Sequence, residues 1–217
     1  LSPKLNCKLD YPYLLLLISG GHSQYLSVEG LGKYKRLGTT IDDALGEAFD
    51  KTAKILGIEF PGGPQIEILA SKGNPRKYEL PKPIFNKGGC NLSFAGLKTA
   101  VLRISKDLKS TQDKYDLAAS FQKTIEEILY KKTQIAFKEF EKVNKIKADK
   151  FVVAGGVAAN SNIRKMLINL CKENDITPIF IIGLPRSGST LVEAIITSSE
   201  NNIPSFGESA FINMGVI

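Results

Sequence analysis

A run of five aliphatic side chains at residues 14–18 (LLLLI) places the strongest constraint on the fold of this chain. Both faces of a strand with this sequence are apolar, which is typical of a strand buried inside a sheet. The run is far too short to cross a bilayer. It ends in a Ser-Gly-Gly turn, after which residues 22–40 predict a second strand and a short third strand near residues 34–37.

Helical patterns follow these strands. A helix is predicted from an N-cap at Thr40, with Asp43 closing a capping box, to a stop at Gly57. Later helices are expected to open at Pro64 and to cover about residues 96–108, 114–142 and the segment after Asn160; residues 73–95 are expected to form a loop with short strands. Strands that alternate with helices predict an α/β protein with a mixed or parallel sheet.

The bulk properties leave the partner open. The net charge of +7 fits a polyanion such as RNA or a phosphorylated ligand, and it fits a lysine-rich solvated surface equally. Three widely spaced cysteines argue for a reducing compartment and against a disulfide framework or thiolate metal site. Without a recognisable leader segment, the cytoplasm is the expected location. The first residue is Leu1, so we expect the chain to start inside a longer reading frame.

Two strand-to-turn junctions are candidate ligand sites. In the first, Ser19–Gly21, consecutive backbone N–H groups have no side chain to block an approaching phosphate, although the same turn is ordinary hairpin chemistry. In the second, Gly155 and Gly156 end a predicted strand, and Asn160 is placed either to cap the next helix or to contact a flat ligand such as a nucleotide.

Three carboxylates, Asp43, Glu47 and Asp50, recur at helical spacing between these junctions. On a solvated surface, Glu47 and Asp50 would form i,i+4 ion pairs with Lys51 and Lys54. In a cleft, Asp50 would instead accept hydrogen bonds from the hydroxyls or amine of a substrate.

Five segments in order, "LLLLISGGHSQ", "GTTIDDALGEAFDKTAKILG", "PGGPQIEILA", "NLSFAGLKTAV" and "FVVAGGVAANSNIR", resemble the bacterial tRNA N6-adenosine threonylcarbamoyltransferase (TsaD) family over about residues 10–175. The resemblance implies an actin/Hsp70-like (ASKHA) fold, in which two related lobes enclose a nucleotide. It also implies transfer of a threonylcarbamoyl group from threonylcarbamoyl-AMP to N6 of the adenosine next to the anticodon of tRNA.

The resemblance also implies which residues contact the substrate, and it identifies no catalytic residue. The implied substrate-binding residues are Leu17, Ile18, Ser19, Gly20, Gly21, Asp50, Gly63, Glu67 and Asn160. The family's partners would be tRNA, a paralogous non-catalytic subunit and an ATPase, with no membrane involved.

The family's divalent metal, iron or zinc, has no predicted site in this sequence. The family holds it with an H-x-x-x-H pair and a later Asp, whereas the single histidine here, His22, corresponds to none of these ligands. We expect His22 to be a hydrogen-bonding or structural residue, and we expect the chain to be an inactive or nearly inactive fragment because metal catalysis needs its ligands.

The last part of the chain, "PIFIIGLPRSGSTLVEAII", follows a strand–loop–helix plan without the Walker spacing or its lysine. Over about residues 178–210 it resembles the 5′-phosphosulfate loop of sulfotransferases that use 3′-phosphoadenosine 5′-phosphosulfate (PAPS). The resemblance implies a loop of Gly183, Arg186, Ser187, Gly188, Ser189 and Thr190.

The predicted architecture is therefore an incomplete actin/Hsp70-like lobe over residues 1–176, followed by a sulfotransferase-like strand–phosphate loop–helix fragment over 177–217. Residues 178–182 could replace the family's own strand at the sheet edge, and a fragmentary or misjoined reading frame would explain the combination. Three alternatives stay open: a PAPS-dependent sulfotransferase fragment, a sugar-kinase-like ATP phosphotransferase, and a non-catalytic nucleotide-binding or partner-binding module.

Overall fold

The computed structural model of this chain describes residues 9–182, which contain one five-stranded mixed sheet. Its order is β3-β2-β1-β4-β5. Strands β1 to β3 form an antiparallel meander, whereas β4 and β5 run parallel to β1. The α/β prediction with a mixed sheet is confirmed. The strands are β1 (Tyr13–Ile18), β2 (Ser23–Gly30), β3 (Lys33–Thr39), β4 (Lys150–Ala154) and β5 (Thr177–Ile181).

Strand β1 is central, as its double-sided apolar sequence predicts. Leu14, Leu16 and Ile18 belong to the main core, where they meet the helices. Leu15 and Leu17, which alternate with them, belong to a second apolar cluster. Since successive side chains of a strand point to opposite faces, these two clusters mark the two faces of the sheet.

All five described helices contribute apolar side chains to the main core, and so they cover one face of the sheet. A short 3₁₀ turn, Gly156–Ala159, connects β4 to the last of the described helices. The longest helix buries Leu117, Phe121 and Ile125 on the face predicted from the sequence. The helices are α1 (Leu45–Ile55), α2 (Gly62–Ala70), α3 (Ala95–Ser105), α4 (Thr111–Asn144) and α5 (Ser161–Glu173).

The predicted start of α1 is wrong. The helix begins at Leu45 with Ala44 as its N-cap, and the Thr40 hydroxyl donates to the Asp43 carbonyl at 2.7 Å instead of capping the helix. Segment 40–43 is held by the chain before α3: Ile41 N donates to Leu92 O at 2.9 Å, and Asp42 Oδ1 accepts from Phe94 N at 2.8 Å. These long-range hydrogen bonds prevent the early helical turn that the local pattern favours.

Other predicted boundaries differ in detail. Helix α2 begins at Gly62, so Pro64 lies in its first turn, and the stop of α1 at Gly57 is confirmed by a φ of +74°. Helix α4 starts earlier than predicted because Ser110 caps it by accepting from Asp113 N. The short strands predicted within residues 73–95 are wrong: this described segment contributes only an isolated bridge, between Leu92 and Thr40.

Within residues 9–182, none of the helices combines the length and the apolar character that crossing a membrane requires.

Candidate functional site

The turn after β1 is closed by its own hydrogen bonds. Ser19 N donates to His22 O at 2.8 Å, and the Ser19 hydroxyl oxygen accepts from His22 N at 3.0 Å. The hairpin interpretation of this turn is therefore confirmed. His22 is exposed and these bonds involve only its backbone, so a hydrogen-bonding or structural role of its side chain stays a prediction.

Two glycines from other elements bring their backbones against this turn. Gly46, in the first turn of α1, donates its N–H to Ser19 O at 3.0 Å, and a Cβ at Gly46 would lie 2.8 Å from Gly20 N. Gly155, at the end of β4, has a φ of +105°, and a Cβ there would lie 2.3 Å from Ile18 O. Only residues without a side chain allow these three backbone segments to converge.

The outer side of the turn is open. A Cβ built at Gly20 or at Gly21 would meet no atom within 4 Å, and both residues are exposed. Gly20 lines a cavity of about 400 Å³ between the turn and α1. The other lining residues are Glu47, Asp50, Lys51, Ala53, Lys54, Ile58, Glu59, Phe60 and Gly62.

Asp50 is one of two half-buried carboxylates that line this cavity, the other being Glu47. Its Oδ1 accepts from Gly62 N at 2.9 Å, which ties the start of α2 to α1. The close approach needs a glycine, because a Cβ at Gly62 would lie 2.6 Å from the Ala53 Cβ. Among the described residues, no partner is found for Asp50 Oδ2, so this oxygen can accept from a ligand in the cavity.

Ion pairs also involve two of the lining residues, Glu47 and Lys51. Lys51 lies 2.7 Å from Glu47 and 3.0 Å from Asp43, whose other oxygen lies 2.8 Å from Lys98 of α3. Burial pushes the pKa of Asp43 upward, but the hydrogen bonds from Lys98 and Lys51 outweigh it and keep that pKa below its usual value. Pairing of Glu47 with Lys51 is thus confirmed, whereas Asp50 bonds to α2 rather than to Lys54.

Asn160 caps α5. Its Oδ1 accepts from Ile163 N at 3.0 Å, and its side-chain amide exchanges two hydrogen bonds, of 3.0 and 3.2 Å, with Gln122 of α4. The side chain is almost fully buried and does not line the cavity. The capping alternative is confirmed, and contact with a ligand stays a prediction.

The carboxylate of Glu67 binds the N-terminus of α5. Glu67 Oε1 accepts from Ser161 N at 2.8 Å and also from the Ser161 hydroxyl. A carboxylate is favourable at this position because the first N–H groups of a helix carry partial positive charge. Glu67 thereby links α2 to α5, and Gly63, four residues before it, faces open space.

The structure brings together part of the predicted site. Gly20 and Asp50 share the cavity, and Gly63 follows the lining residue Gly62. Leu17 and Ile18 have side chains in the core, so only their backbones face the turn. Ser19 is buried inside the turn. The predicted phosphosulfate-loop residues, Gly183, Arg186, Ser187, Gly188, Ser189 and Thr190, lie outside the described residues.

Sequence reasoning missed three residues that build the site: Gly46, Gly62 and Gln122. Gly46 carries a usable signal, since a glycine inside a predicted helix costs stability and therefore suggests close packing. Gln122 carries none, because a polar residue on a long helix gives no sign of a partner in a distant turn.

The described residues do not fit a metal ion. No group of three His, Cys, Asp or Glu side chains within residues 9–182 is arranged to hold one, and the only histidine, His22, is exposed beside the turn. We therefore derive no chemical step through a metal in this chain.

Two family patterns match the sequence. The pattern described as TsaD, tRNA N6-adenosine threonylcarbamoyltransferase, matches residues 1–182. A second, described as Sulfotransferase family, matches residues 178–216 and thus overlaps the first on β5.

Curated relatives agree with the first match. The chain is 78% identical over 180 residues to a protein of Pelagibacter ubique named tRNA N6-adenosine threonylcarbamoyltransferase, covering 83% of this chain and 50% of the relative. It is 54% identical over 175 residues to a protein of the same name from Rickettsia rickettsii, covering 79% and 51%. The chain therefore spans about half the length of the curated relatives it matches.

Proposed function

The chain belongs to the tRNA N6-adenosine threonylcarbamoyltransferase family, and from this membership we propose that its first 182 residues are the adenylate-binding lobe of such an enzyme. The whole enzyme would transfer a threonylcarbamoyl group from threonylcarbamoyl-AMP to N6 of the adenosine next to the anticodon. It would act on tRNA in the cytoplasm, together with a paralogous non-catalytic subunit and an ATPase.

The observation that carries this proposal is the cavity in which an open Gly-Gly turn faces Asp50. The Gly20 backbone is accessible to a phosphate, whereas Gly21 N already donates to the Ser19 hydroxyl oxygen at 3.3 Å. Backbone N–H groups that no side chain shields bind anions well. Across the cavity, Asp50 Oδ2 can accept from a ribose hydroxyl or an amine. A phosphate and a hydroxyl or amine are groups of one adenylate, so a single ligand would satisfy both sides.

Strand order supports the actin/Hsp70-like part of the proposal. A meander of three antiparallel strands followed by two parallel strands, in the order 3-2-1-4-5, is compatible with one lobe of that fold. Both glycine turns also follow the carboxyl ends of parallel strands, β1 and β4, where α/β sheets bind their ligands.

Binding of adenylate is the expected activity of this chain, and turnover is not. A lobe that positions the adenylate can orient the carbamoyl carbonyl for attack by the weakly nucleophilic exocyclic amine. In the family, a metal ion polarises that carbonyl. Among the described residues, neither His22 nor the carboxylates provide a set of ligands for such an ion.

Isothermal titration calorimetry of the full chain with AMP tests the site. Asp50→Asn keeps an oxygen for Gly62 N but removes the charge, so we expect the affinity to fall about tenfold, the scale of one charge-assisted hydrogen bond. Gly20→Ala should weaken binding without unfolding the chain, because its Cβ meets no atom within 4 Å. The matched control is Asp149→Asn, whose side chain is 78% exposed.

Equal affinities for Asp50→Asn, Gly20→Ala and the unmodified chain would rule out this cavity as the adenylate site. For turnover, the full chain is incubated with threonylcarbamoyl-AMP, tRNA and divalent metal. We expect no modified adenosine, and a rate equal to that of a full-length relative would refute the proposed loss of activity.

A PAPS site in the tail is a second candidate, favoured by the family match over residues 178–216. We also propose that the chain has two parts, a threonylcarbamoyltransferase-like lobe over residues 1–176 and a sulfotransferase-like fragment over residues 177–217. Titration with 3′-phosphoadenosine 5′-phosphate tests the tail, with Arg186→Ala as the variant. Binding that this variant abolishes would support the candidate, and absence of binding would exclude it.

A further inference from the structure

The cavity beside α1 changes its chemical character from one end to the other. At the start of the helix it is lined by the backbone of Gly20, and Asp50 follows about one helical turn along. Past Asp50, the lining includes the apolar residues Ala53, Ile58 and Phe60 and the exposed charged residues Lys54 and Glu59. A ligand that fills the cavity therefore meets hydrogen-bonding groups at one end and apolar side chains at the other.

Among the described residues that line this cavity, Phe60 is the one aromatic residue. It is 64% exposed, whereas its neighbour Ile58 is half-buried and packs against the main core. A single exposed apolar residue is ordinary on a protein surface, but this one lies at a cavity that also holds a carboxylate. An aromatic ring in such a place offers a face on which a flat base can stack.

The backbone on both sides of Phe60 is held by hydrogen bonds to α1. Two residues before it, Ile58 N donates to Ala53 O at 2.9 Å, and two residues after it, Gly62 N donates to Asp50 Oδ1 at 2.9 Å. The segment that carries the ring is thus fixed relative to Asp50. Binding against a fixed segment costs less ordering than binding against a loose one.

The spacing along α1 suits a nucleoside monophosphate. With a rise of 1.5 Å per residue, Glu47 and Lys54 lie about 10 Å apart along the helix, which is close to the extent of such a ligand. A phosphate at Gly20 and a ribose hydroxyl at Asp50 direct the base toward the end of the cavity that contains Phe60, because base and phosphate are attached to opposite ends of the ribose.

We propose that Phe60 stacks on the base of the bound adenylate and so selects nucleotides over sugar phosphates. This inference rests on the adenylate site proposed above and adds to it the group that recognises the base. Stacking uses the face of the ring system, which every base has. Phe60 therefore favours a ligand that carries a base, and it does not discriminate among bases.

Isothermal titration calorimetry of the full chain with AMP and with ribose 5-phosphate tests this inference, because the second ligand lacks the base. We expect AMP to bind about tenfold more tightly than ribose 5-phosphate, the scale of one base–aromatic stack. Phe60→Ala should remove this difference by weakening AMP binding alone, with the affinity for ribose 5-phosphate unchanged. Phe60→Tyr keeps an aromatic ring and should retain the affinity of the unmodified chain for AMP.

Ile68→Ala is the matched control, because Ile68 is 51% exposed on α2 and is not among the residues that line the cavity. It should leave both affinities unchanged. Phe60→Ala should also keep Tm within about 2 °C of the unmodified chain, because a side chain this exposed contributes little to the core.

Proton NMR of AMP provides a readout that a purely structural role of Phe60 would not change. An aromatic ring stacked on the base shifts the resonances of its H2 and H8 protons upfield in the bound ligand. We expect this shift with the unmodified chain and with Phe60→Tyr. Phe60→Leu, which keeps an apolar side chain without a ring, should abolish it.

Each of the contrary results has its own meaning. Equal binding of AMP and ribose 5-phosphate by the unmodified chain would leave the phosphate and Asp50 contacts standing and refute the role of Phe60. Equal weakening of both ligands by Phe60→Ala would make the residue structural. Weaker binding of an anticodon stem-loop RNA with unchanged AMP affinity would assign the ring to a base of the RNA and overturn the inference. Binding of neither ligand would reject the adenylate site together with it.

Discussion

Gly46 shows at the scale of one residue how the candidate site depends on backbone contact. Its missing side chain lets α1 rest on the turn after β1, with backbone atoms of Ser19 and Gly20 2.8 Å from where a Cβ would lie. Backbone atoms cannot rotate away as a side chain can, so a Cβ at this position could be accommodated only by a shift of α1 or of the turn. A Cβ at Gly62 or at Gly155 would likewise lie closer than 3 Å to neighbouring atoms, which explains the glycines at these positions.

Gly46→Ala should lower the free energy of unfolding by about 2 kcal/mol or more, because either α1 or the turn must shift. Gly63→Ala is the matched control within a helix: its Cβ meets no atom within 4 Å, and alanine favours the helix, so stability should stay equal or rise by about 0.5 kcal/mol. Urea unfolding followed by circular dichroism measures both variants. Equal stability of Gly46→Ala and the unmodified chain would disprove the close contact.

Asp43 links stability to pH. Hydrogen bonds from Lys98 and Lys51 keep the pKa of Asp43 below its usual value despite the opposing effect of burial, so its contribution is present above the unfolded pKa near 4 and is lost as the pH falls through the folded pKa. With its side chain 15% exposed, we expect Asp43→Asn to cost about 1 kcal/mol at pH 7.

Thermal unfolding between pH 3 and 7 checks this prediction: the curves of Asp43→Asn and the unmodified chain should converge toward the acidic end. Asp149→Asn, at a side chain that is 78% exposed, should follow the unmodified chain throughout. A constant difference between Asp43→Asn and the unmodified chain at every pH would contradict the role of the charge.

Single residues of the site were only partly predictable from sequence. The open turn at Gly20 and Gly21 and the cap at Asn160 were predicted because both are local: a Gly-Gly pair and an Asn before a helix carry their meaning in the sequence itself. The partner of Asn160, Gln122, lies 38 residues away and could not be inferred. The same applies to Glu67, whose bond to Ser161 joins residues 94 positions apart.

At the scale of elements, α5 depends on a cap that also anchors it to α4. Asn160→Ala removes the acceptor for Ile163 N and the donor to Gln122 Oε1, whereas Gln122 Nε2 keeps Glu126 as an acceptor. We therefore expect a loss of about 2 kcal/mol in the free energy of unfolding. Asn160→Asp restores the acceptor and should recover about half of this loss.

Asn162→Ala is the matched control for the cap, because Asn162 is exposed in the first turn of the same helix. It should change stability by about 0.5 kcal/mol or less. Denaturant unfolding of the three variants measures the difference. A loss at Asn160 no greater than that at Asn162 would contradict the anchoring role.

Helix α1 illustrates why element boundaries are harder to predict than elements. Its apolar repeat and its stop at Gly57 were visible in the sequence, and its start was not. The Thr-x-x-Asp pattern at residues 40–43 favours a cap locally, but Asp42 is used by the chain before α3, where its carboxylate accepts from Phe94 N and Ala95 N. Tertiary hydrogen bonds outweighed the local preference.

At the scale of the whole molecule, the main core joins the five helices of residues 9–182 to one sheet face, so this part of the chain should unfold as one unit. Cys90 and Cys171 both belong to this core, and burial raises the pKa of the first thiol to about 11 and of the second to about 12. In a Cys7→Ser background, both thiols should resist labelling at pH 8 and become reactive at the same urea concentration.

Mass spectrometry after pulsed labelling with a maleimide follows each thiol separately. Reaction of either thiol in the absence of urea, or two labelling midpoints that differ by more than about 0.5 M urea, would show that the core opens in parts instead of in one transition.

Strand β5 lies at the edge of the sheet, where two family patterns overlap. Among the described residues it pairs only with β4, and Pro178 is tolerated because one side of an edge strand needs no donor. Residues 178–182 are apolar at every position, with Phe180 beside the main core and Ile179 and Ile181 beside the second cluster, and they match two family patterns at once. An edge strand of this kind can satisfy both patterns because it makes ladder hydrogen bonds to one neighbour only, so its sequence is less constrained than that of the central strand β1.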